Sequence, residues 1–284
     1  MNIDYEAREV EIATRHLTLH SLQFGTGPQR VLALHGWLDN AASFQNLAPL
    51  LRDVEIVALD LPGHGHSDHR PRGDGYYFVD YVAVVVEAAD ALGWDRFSFL
   101  GHSLGAGIAS IAAPMLAGRI EKLALIEGLG PLVVPDDEAP ERLLQALSKR
   151  RATRLKSPPC YPTIDAAVQA RHAVSDMQPE SVRILVERNL REIEGGYTWR
   201  TDPQLRLGSL LYLTEAQVRA FLQRIAVPTL LVRGDRSTIF DQEKFSNRCT
   251  AVTGIEIVDL PGGHHLHLDN PESVAAAVNA FFSR

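Results

Sequence analysis

Apolar and polar positions along the chain follow two rhythms. Glu9 to Thr14 and Leu17 to Gln23 alternate apolar with polar residues, the period of half-buried antiparallel strands, and are predicted to form a sheet edge. Short unbroken apolar runs begin at Val31 and span Val54 to Asp60, Phe97 to Leu100, Lys122 to Ile126, Pro228 to Val232 and Ile255 to Leu260. Runs of that length bounded by Gly, Pro or Asp read as strands buried on both faces. Between them lie helical patterns. Val79 to Leu92 is apolar at helical spacing and closes at Gly93, a small-residue helix follows Ser103, and Val274 to Phe282 forms a closing helix.

This alternation predicts an α/β fold with a mainly parallel central sheet and helices on both faces. The sheet rhythm lapses between Pro131 and Pro228. Four helical patterns occupy the gap: Pro140 to Arg154, Ile164 to Asp176, Pro179 to Glu194 and Thr214 to Ile225, with Thr214 and Gln217 fitting a capping box. The predicted organisation is therefore one core from 1–130 and 226–284, with a helical lid at 131–225 inserted before the last two strands. Helices inserted after a strand end lie over that end, so this segment is expected to carry substrate selectivity.

Composition narrows the function classes. The chain has 284 residues and a net charge of −7, which argues against a nucleic-acid partner. Lys149, Arg150 and Arg151 with Arg154 form the densest basic cluster and read as the solvated end of a helix. Cys160 and Cys249 supply neither a disulfide framework nor metal-ligand spacing. The polar, acidic N-terminal stretch is not a targeting sequence in composition, and no apolar run reaches the length of a membrane span. A cytoplasmic protein acting on a small molecule, without a cofactor, is the expectation; oligomeric state is not legible.

Candidate chemistry centres on Arg96 to Met115. The buried run at Phe97 leads into Gly101-His102-Ser103-Leu104-Gly105 and then a helix, which is the strand, G-x-S-x-G turn and helix of a nucleophile elbow. At such a turn a serine hydroxyl is lifted clear of the sheet, and glycines are needed where a side chain would strike the neighbouring strand or helix. A serine hydroxyl is a poor nucleophile at neutral pH and needs a histidine to take its proton and a carboxylate to orient that histidine. His264, directly after the turn Pro261-Gly262-Gly263, is the predicted base. His265 and His267 are expected to be structural or pocket-lining. Two backbone N–H groups must face the developing oxyanion, and Leu104 and Trp37 occupy the expected places. His64 and His66 lie in a glycine-rich tight loop without a third ligand at suitable spacing, so no metal is predicted.

Together these segments resemble the α/β-hydrolase superfamily along nearly the whole chain: LHGW, LDLPGHGHSD, GHSLGAG, PTLLVRGD and PGGHHLHLDNP match in content and order. LIEGLGPL and GYTWRTDP make the chain most similar to serine hydrolase-like proteins. The resemblance implies a triad in the order Ser, acid, His. In the commonest form of the family an aspartate follows the PTLLV strand as Gly-x-x-Asp, but Ser237 stands there in Gly234-Asp235-Arg236-Ser237. A variant of the fold takes its acid from the strand end before the lid, here Glu127. Glu127 is the preferred acid and Asp235 the alternative.

A serine nucleophile excludes the alkyl-ester chemistry that related aspartate enzymes perform. The expected activity is hydrolysis of a carboxylic ester or thioester through an acyl-enzyme, with His102, Tyr197 and Trp199 placed on the substrate pocket. The alternatives are carbon–carbon bond hydrolysis or cofactor-free oxygen chemistry on the same triad, and a non-catalytic ligand receptor on the same fold.

Overall fold

Successive side chains of a strand point to opposite sides of a sheet, so an unbroken apolar run demands a core on each face. A computed structural model describes residues 7–71, 73–152, 159–238 and 242–284, with side chains from 245 onward in the last stretch, and shows that arrangement. Its strands are Arg8–Ala13 (β1), Thr18–Phe24 (β2), Gln29–Leu34 (β3), Val54–Leu59 (β4), Phe97–His102 (β5), Ile120–Ile126 (β6), Leu190–Ile193 (β7), Gly196–Trp199 (β8), Thr229–Gly234 (β9) and Glu256–Leu260 (β10). Eight of them form one sheet in the order β1-β2-β4-β3-β5-β6-β9-β10. The β1–β2 and β2–β4 pairs are antiparallel and the other pairs are parallel.

The helices are Phe78–Ala91 (α1), Leu104–Met115 (α2), Ala139–Ala152 (α3), Ile164–His172 (α4), Pro179–Asn189 (α5), Glu215–Leu222 (α6), Gln242–Cys249 (α7), Leu266–Asp269 (α8) and Pro271–Phe282 (α9). Leu32, Leu34, Phe97, Phe99, Leu123 and Leu125 pack on one face with residues of α1, α2 and α6. Their alternates Val31, Ala33, Leu100, Ala124 and Ile126 pack on the other face with α9. Full burial of each large side chain contributes roughly 1.5–3 kcal/mol, which makes these central strands the stable frame for the loops at their ends.

Strand order reverses direction between β3 and β5, and at such a point loops at the carboxyl ends diverge to leave a crevice. The segment between β6 and β9 docks over that end. Asn40 Nδ2 donates to Leu185 O at 2.8 Å, Asp202 N–H donates to Gly63 O at 2.9 Å, and Gln178 N–H donates to Asp269 Oδ1 at 3.1 Å. A further tie is ionic. Arg188 of α5 pairs with Asp60 at 2.8 Å and also with Glu9 of β1, while the Asp60 carboxylate accepts N–H groups of Ala41 and His66.

Several elements differ from their sequence expectation. The pattern Pro179 to Glu194 continues apolar positions at helical spacing through Leu190 and Ile193, but the helix stops at Asn189. Leu190–Ile193 then pairs antiparallel with Gly196–Trp199 around Gly195 and Gly196, both at positive φ. Asn189 Oδ1 accepts from Thr201 N–H and Oγ1, fixing the helix end. The α7 helix lies in a stretch that carried no periodic signal. Thr214 and Gln217 form the expected capping box at the start of α6. Thr153 and Arg154, the expected end of the basic helix, and residues 1–6 lie outside the described residues. Among the described residues no helix is long and apolar enough to cross a membrane.

Candidate active site

The elbow is built by steric exclusion. Ser103 sits between β5 and α2 at φ 49° and ψ −111°, a strained conformation for a residue with a side chain. A Cβ on Gly105 would stand 2.0 Å from the Leu34 carbonyl oxygen, and one on Gly101 would stand 2.6 Å from Ala106 Cα. The backbone is held on both sides: Ser103 N–H donates to Ile126 O at 3.0 Å, Gly105 N–H to His35 O at 3.1 Å, and Gly107 N–H to Ser103 O at 3.0 Å.

Glu127 ends β6 at φ 53° and is 1% exposed. A buried carboxylate is costly unless its oxygens are occupied, and both are. Oε1 accepts the Gly234 N–H at 2.7 Å, and Oε2 lies 3.1 Å from His264 Nδ1. Asp235 is placed differently. Its side chain is 55% exposed, and Oδ1 accepts the Gly262 N–H at 2.9 Å, bracing the glycine turn that precedes His264. The structure thus brings His264 to Glu127 and turns Asp235 to the backbone of the histidine loop.

The loop after β3 carries Trp37, whose side chain is 52% exposed. His35 anchors this loop. Its Nδ1–H donates to Gly36 O at 2.7 Å and its Nε2 accepts the Leu61 N–H at 3.0 Å, a pairing that suits the neutral ring favoured by burial. Leu104, half-buried, opens α2 beside Ser103.

The three residues expected on the pocket wall are placed as follows. His102 is fully buried, and its Nε2–H donates to the His264 carbonyl at 2.9 Å, because a side chain on β5 points into the sheet's packed face. Tyr197 and Trp199 are partly buried against an apolar cluster that includes Ala167, Val182 and Leu185 together with Leu268 of α8, with Trp199 edge-on to Tyr161 at 5.3 Å between ring centres.

Sequence reasoning missed Asp39. One carboxylate oxygen lies 3.1 Å from His265 Nε2 and the other 3.1 Å from Arg171 Nη2. Burial by itself would raise the Asp39 pKa, but His265 and Arg171 override it and hold the group well below the usual carboxylate range. Burial would lower the pKa of His265; the Asp39 carboxylate reverses that and raises it. His267 is buried with Nε2 at 2.8 Å from Ser43 Oγ, and burial together with His265 pushes its pKa down to about 3. The signal for Asp39 was an acidic residue two positions after Trp37, at the end of a buried strand.

Two groups of potential metal ligands occur among the described residues, Asp39 with His102 and His265, and Glu9 with His20 and His66. The second supplies His66 with neighbours that its local spacing did not show, since they come from β1 and β2.

A mainly parallel sheet with a strained serine after a central strand, and a carboxylate-paired histidine after the last, defines a protein of hydrolase architecture. The profile of the alpha/beta hydrolase fold matches residues 29–182, and the chain belongs to that family. It is 32% identical to a serine hydrolase-like protein of Dictyostelium discoideum over 89% of this chain and 74% of the relative. A crystal structure of a hypothetical protein from Pseudomonas aeruginosa PAO1 superposes with a TM-score of 0.92 at 43% identity, covering 98% of this chain and 99% of that one. A thioesterase domain from the curacin biosynthetic pathway superposes with a TM-score of 0.85 at 28% identity, over 96% and 99% of the two chains.

Proposed function

We propose that the protein is a serine hydrolase that cleaves a carboxylic ester or thioester of a small to medium acyl group through an acyl-enzyme on Ser103. The observation that carries this reading is the 3.1 Å contact between Glu127 Oε2 and His264 Nδ1, on the strand neighbouring the one that presents the strained Ser103. His264 Nε2 removes the proton as Ser103 Oγ attacks the carbonyl carbon. Glu127 accepts the Nδ1–H, holding the imidazole in the tautomer that leaves Nε2 basic and stabilising the imidazolium that forms.

The tetrahedral oxyanion is received by the N–H groups of Leu104, at the start of α2, and of Trp37. Its collapse expels the alcohol or thiol, which takes the proton from His264. Water then attacks the acyl-enzyme with His264 as base, releasing the acid and restoring Ser103. The inserted segment 131–225 acts as the lid that selects the acyl group, a role supported by its docking on the loops that follow β3, β4 and β10.

Turnover of a panel of nitrophenyl esters and acyl thioesters tests this reading. The wild type hydrolyses at least one short-chain member and Ser103→Ala does not. Equal rates in the two proteins, or tight binding of panel members without hydrolysis by the wild type, contradict it.

A further inference from the structure

We propose that Asp39, His102 and His265 form a binding site for a divalent transition-metal ion of the zinc type. His102 has one ring nitrogen engaged and the other not. A carbonyl oxygen can only accept, so the 2.9 Å contact between Nε2 and the His264 carbonyl places the proton on Nε2 and leaves a lone pair on Nδ1. That Nδ1 is buried and has no hydrogen-bond partner. It stands 3.8 Å from Asp39 Oδ2, a second acceptor, and His265 Nε2 stands 3.1 Å from the same oxygen. Two lone pairs facing each other in a buried site repel unless a cation lies between them.

The geometry suits such an ion. The three ligand atoms lie within 4.8 Å of one another. A tetrahedral zinc site with bonds of about 2.0–2.1 Å spaces its ligand atoms roughly 3.3 Å apart, and the 3.1 and 3.8 Å separations from Asp39 Oδ2 lie near that value. Two imidazoles and one carboxylate are a zinc donor set. Two of the three ligands have supporting groups. His102 uses its other ring nitrogen on a backbone carbonyl, and Asp39 uses its other oxygen on Arg171, as ligands do when held by an outer shell. Gly36 keeps the notch open, since a Cβ there would stand 2.8 Å from Oδ2 and 2.9 Å from Nδ1. Binding replaces the proton that bridges Asp39 and His265.

The consequence, which rests on the serine reading above, is inhibition. The ion engages His265, next to the proposed base His264, and His102, which holds the His264 carbonyl.

Calorimetric titration of the metal-free full chain with Zn2+, and absorption spectra of its Co2+ form, test the site without using activity. The expected result is one tight equivalent and a tetrahedral Co2+ spectrum without thiolate charge transfer. His265→Gln and Asp39→Asn weaken binding about 100-fold or more. His66→Gln, in the group formed with Glu9 and His20, leaves it unchanged. Ser103→Ala also binds as the wild type does, so failure of the serine mechanism and failure of the site remain distinguishable. Should Asp39→Asn fail to fold, His265→Gln decides, because that side chain is 13% exposed and its removal opens no sealed core position. Absence of binding below millimolar Zn2+, an octahedral Co2+ spectrum, or loss of the equivalent in His66→Gln but not in His265→Gln overturns the proposal.

Discussion

Glu127 Oε2 and His264 Nδ1 lie 3.1 Å apart although 137 residues separate them in the chain. The contact exists because β6, β9 and β10 run parallel as successive neighbours, which brings the end of β6 and the loop after β10 to one edge of the sheet. Glu127 N–H donates to Val232 O, and its other carboxylate oxygen takes the Gly234 N–H, so the group is fixed at three points. Glu127→Gln therefore removes the charge that orients and supports the imidazole, and kcat/KM on a nitrophenyl ester is expected to fall about 10⁴-fold with KM little changed. Asp235→Asn keeps an acceptor for the Gly262 N–H and is expected to cost less than about tenfold. A reversal of those two effects transfers the acid role to Asp235.

The elbow tolerates no side chain at Gly105. A Cβ 2.0 Å from the Leu34 carbonyl oxygen meets backbone of a central strand, which cannot move aside as a side chain would. Gly105→Ala is expected to destabilise the fold by about 3 kcal/mol or more, read from urea unfolding. Gly118→Ala serves as the control: its added Cβ meets nothing within 4 Å, and its positive φ of 84° limits the loss to about 1–2 kcal/mol.

Acid destabilises this protein through buried histidines. Burial, with His35 beside it, pushes the His64 pKa down to about 3, and burial with His265 does the same to His267. Both rings stay neutral in the folded state while the unfolded chain takes up protons below about pH 6.5. Their contribution is thus complete above pH 6.5, declines as the pH falls, and is exhausted near pH 3. Each ring accounts for roughly 2 kcal/mol between pH 6.5 and 5. Thermal unfolding followed from pH 7 to 5 is expected to show a steep fall in Tm, shallower in His64→Gln. A Tm independent of pH over that range contradicts this.

The ion pair of Arg188 with Asp60 clamps the inserted segment to the core. Arg188→Met leaves the fully buried Asp60 carboxylate with two backbone N–H donors and no counter-charge, and is expected to cost about 3–5 kcal/mol. The double variant Asp60→Asn, Arg188→Met is expected to recover part of that loss, because no uncompensated charge remains. Urea unfolding of the singles and the double measures the coupling.

The division between what was legible and what was not follows range. Strands buried on both faces write themselves as apolar runs, and the G-x-S-x-G turn and the glycines before His264 are local steric requirements, so frame and elbow could be read directly. Glu127 drew attention because Ser237 stands where the family resemblance expects an aspartate, and a carboxylate after a buried apolar run needs a partner; the structure supplies His264 Nδ1 at 3.1 Å. Asp39 was not legible, since its partners Arg171 and His265 come from an inserted helix and from the last loop. Nor could spacing show that His102 faces inward, or that Leu190 and Ile193 belong to a hairpin whose partner strand lies beyond two glycines. Helical and hairpin readings of that stretch share the same apolar positions.

The central claim, that residue 103 is a nucleophile made reactive by His264 and Glu127, is tested most directly by intact mass spectrometry after reaction with a fluorophosphonate. The expected result is one covalent adduct per chain, mapped to Ser103, absent in Ser103→Ala and formed far more slowly in Glu127→Gln. A folded wild type that acquires no adduct, or one that acquires it equally when residue 103 is alanine, contradicts the account.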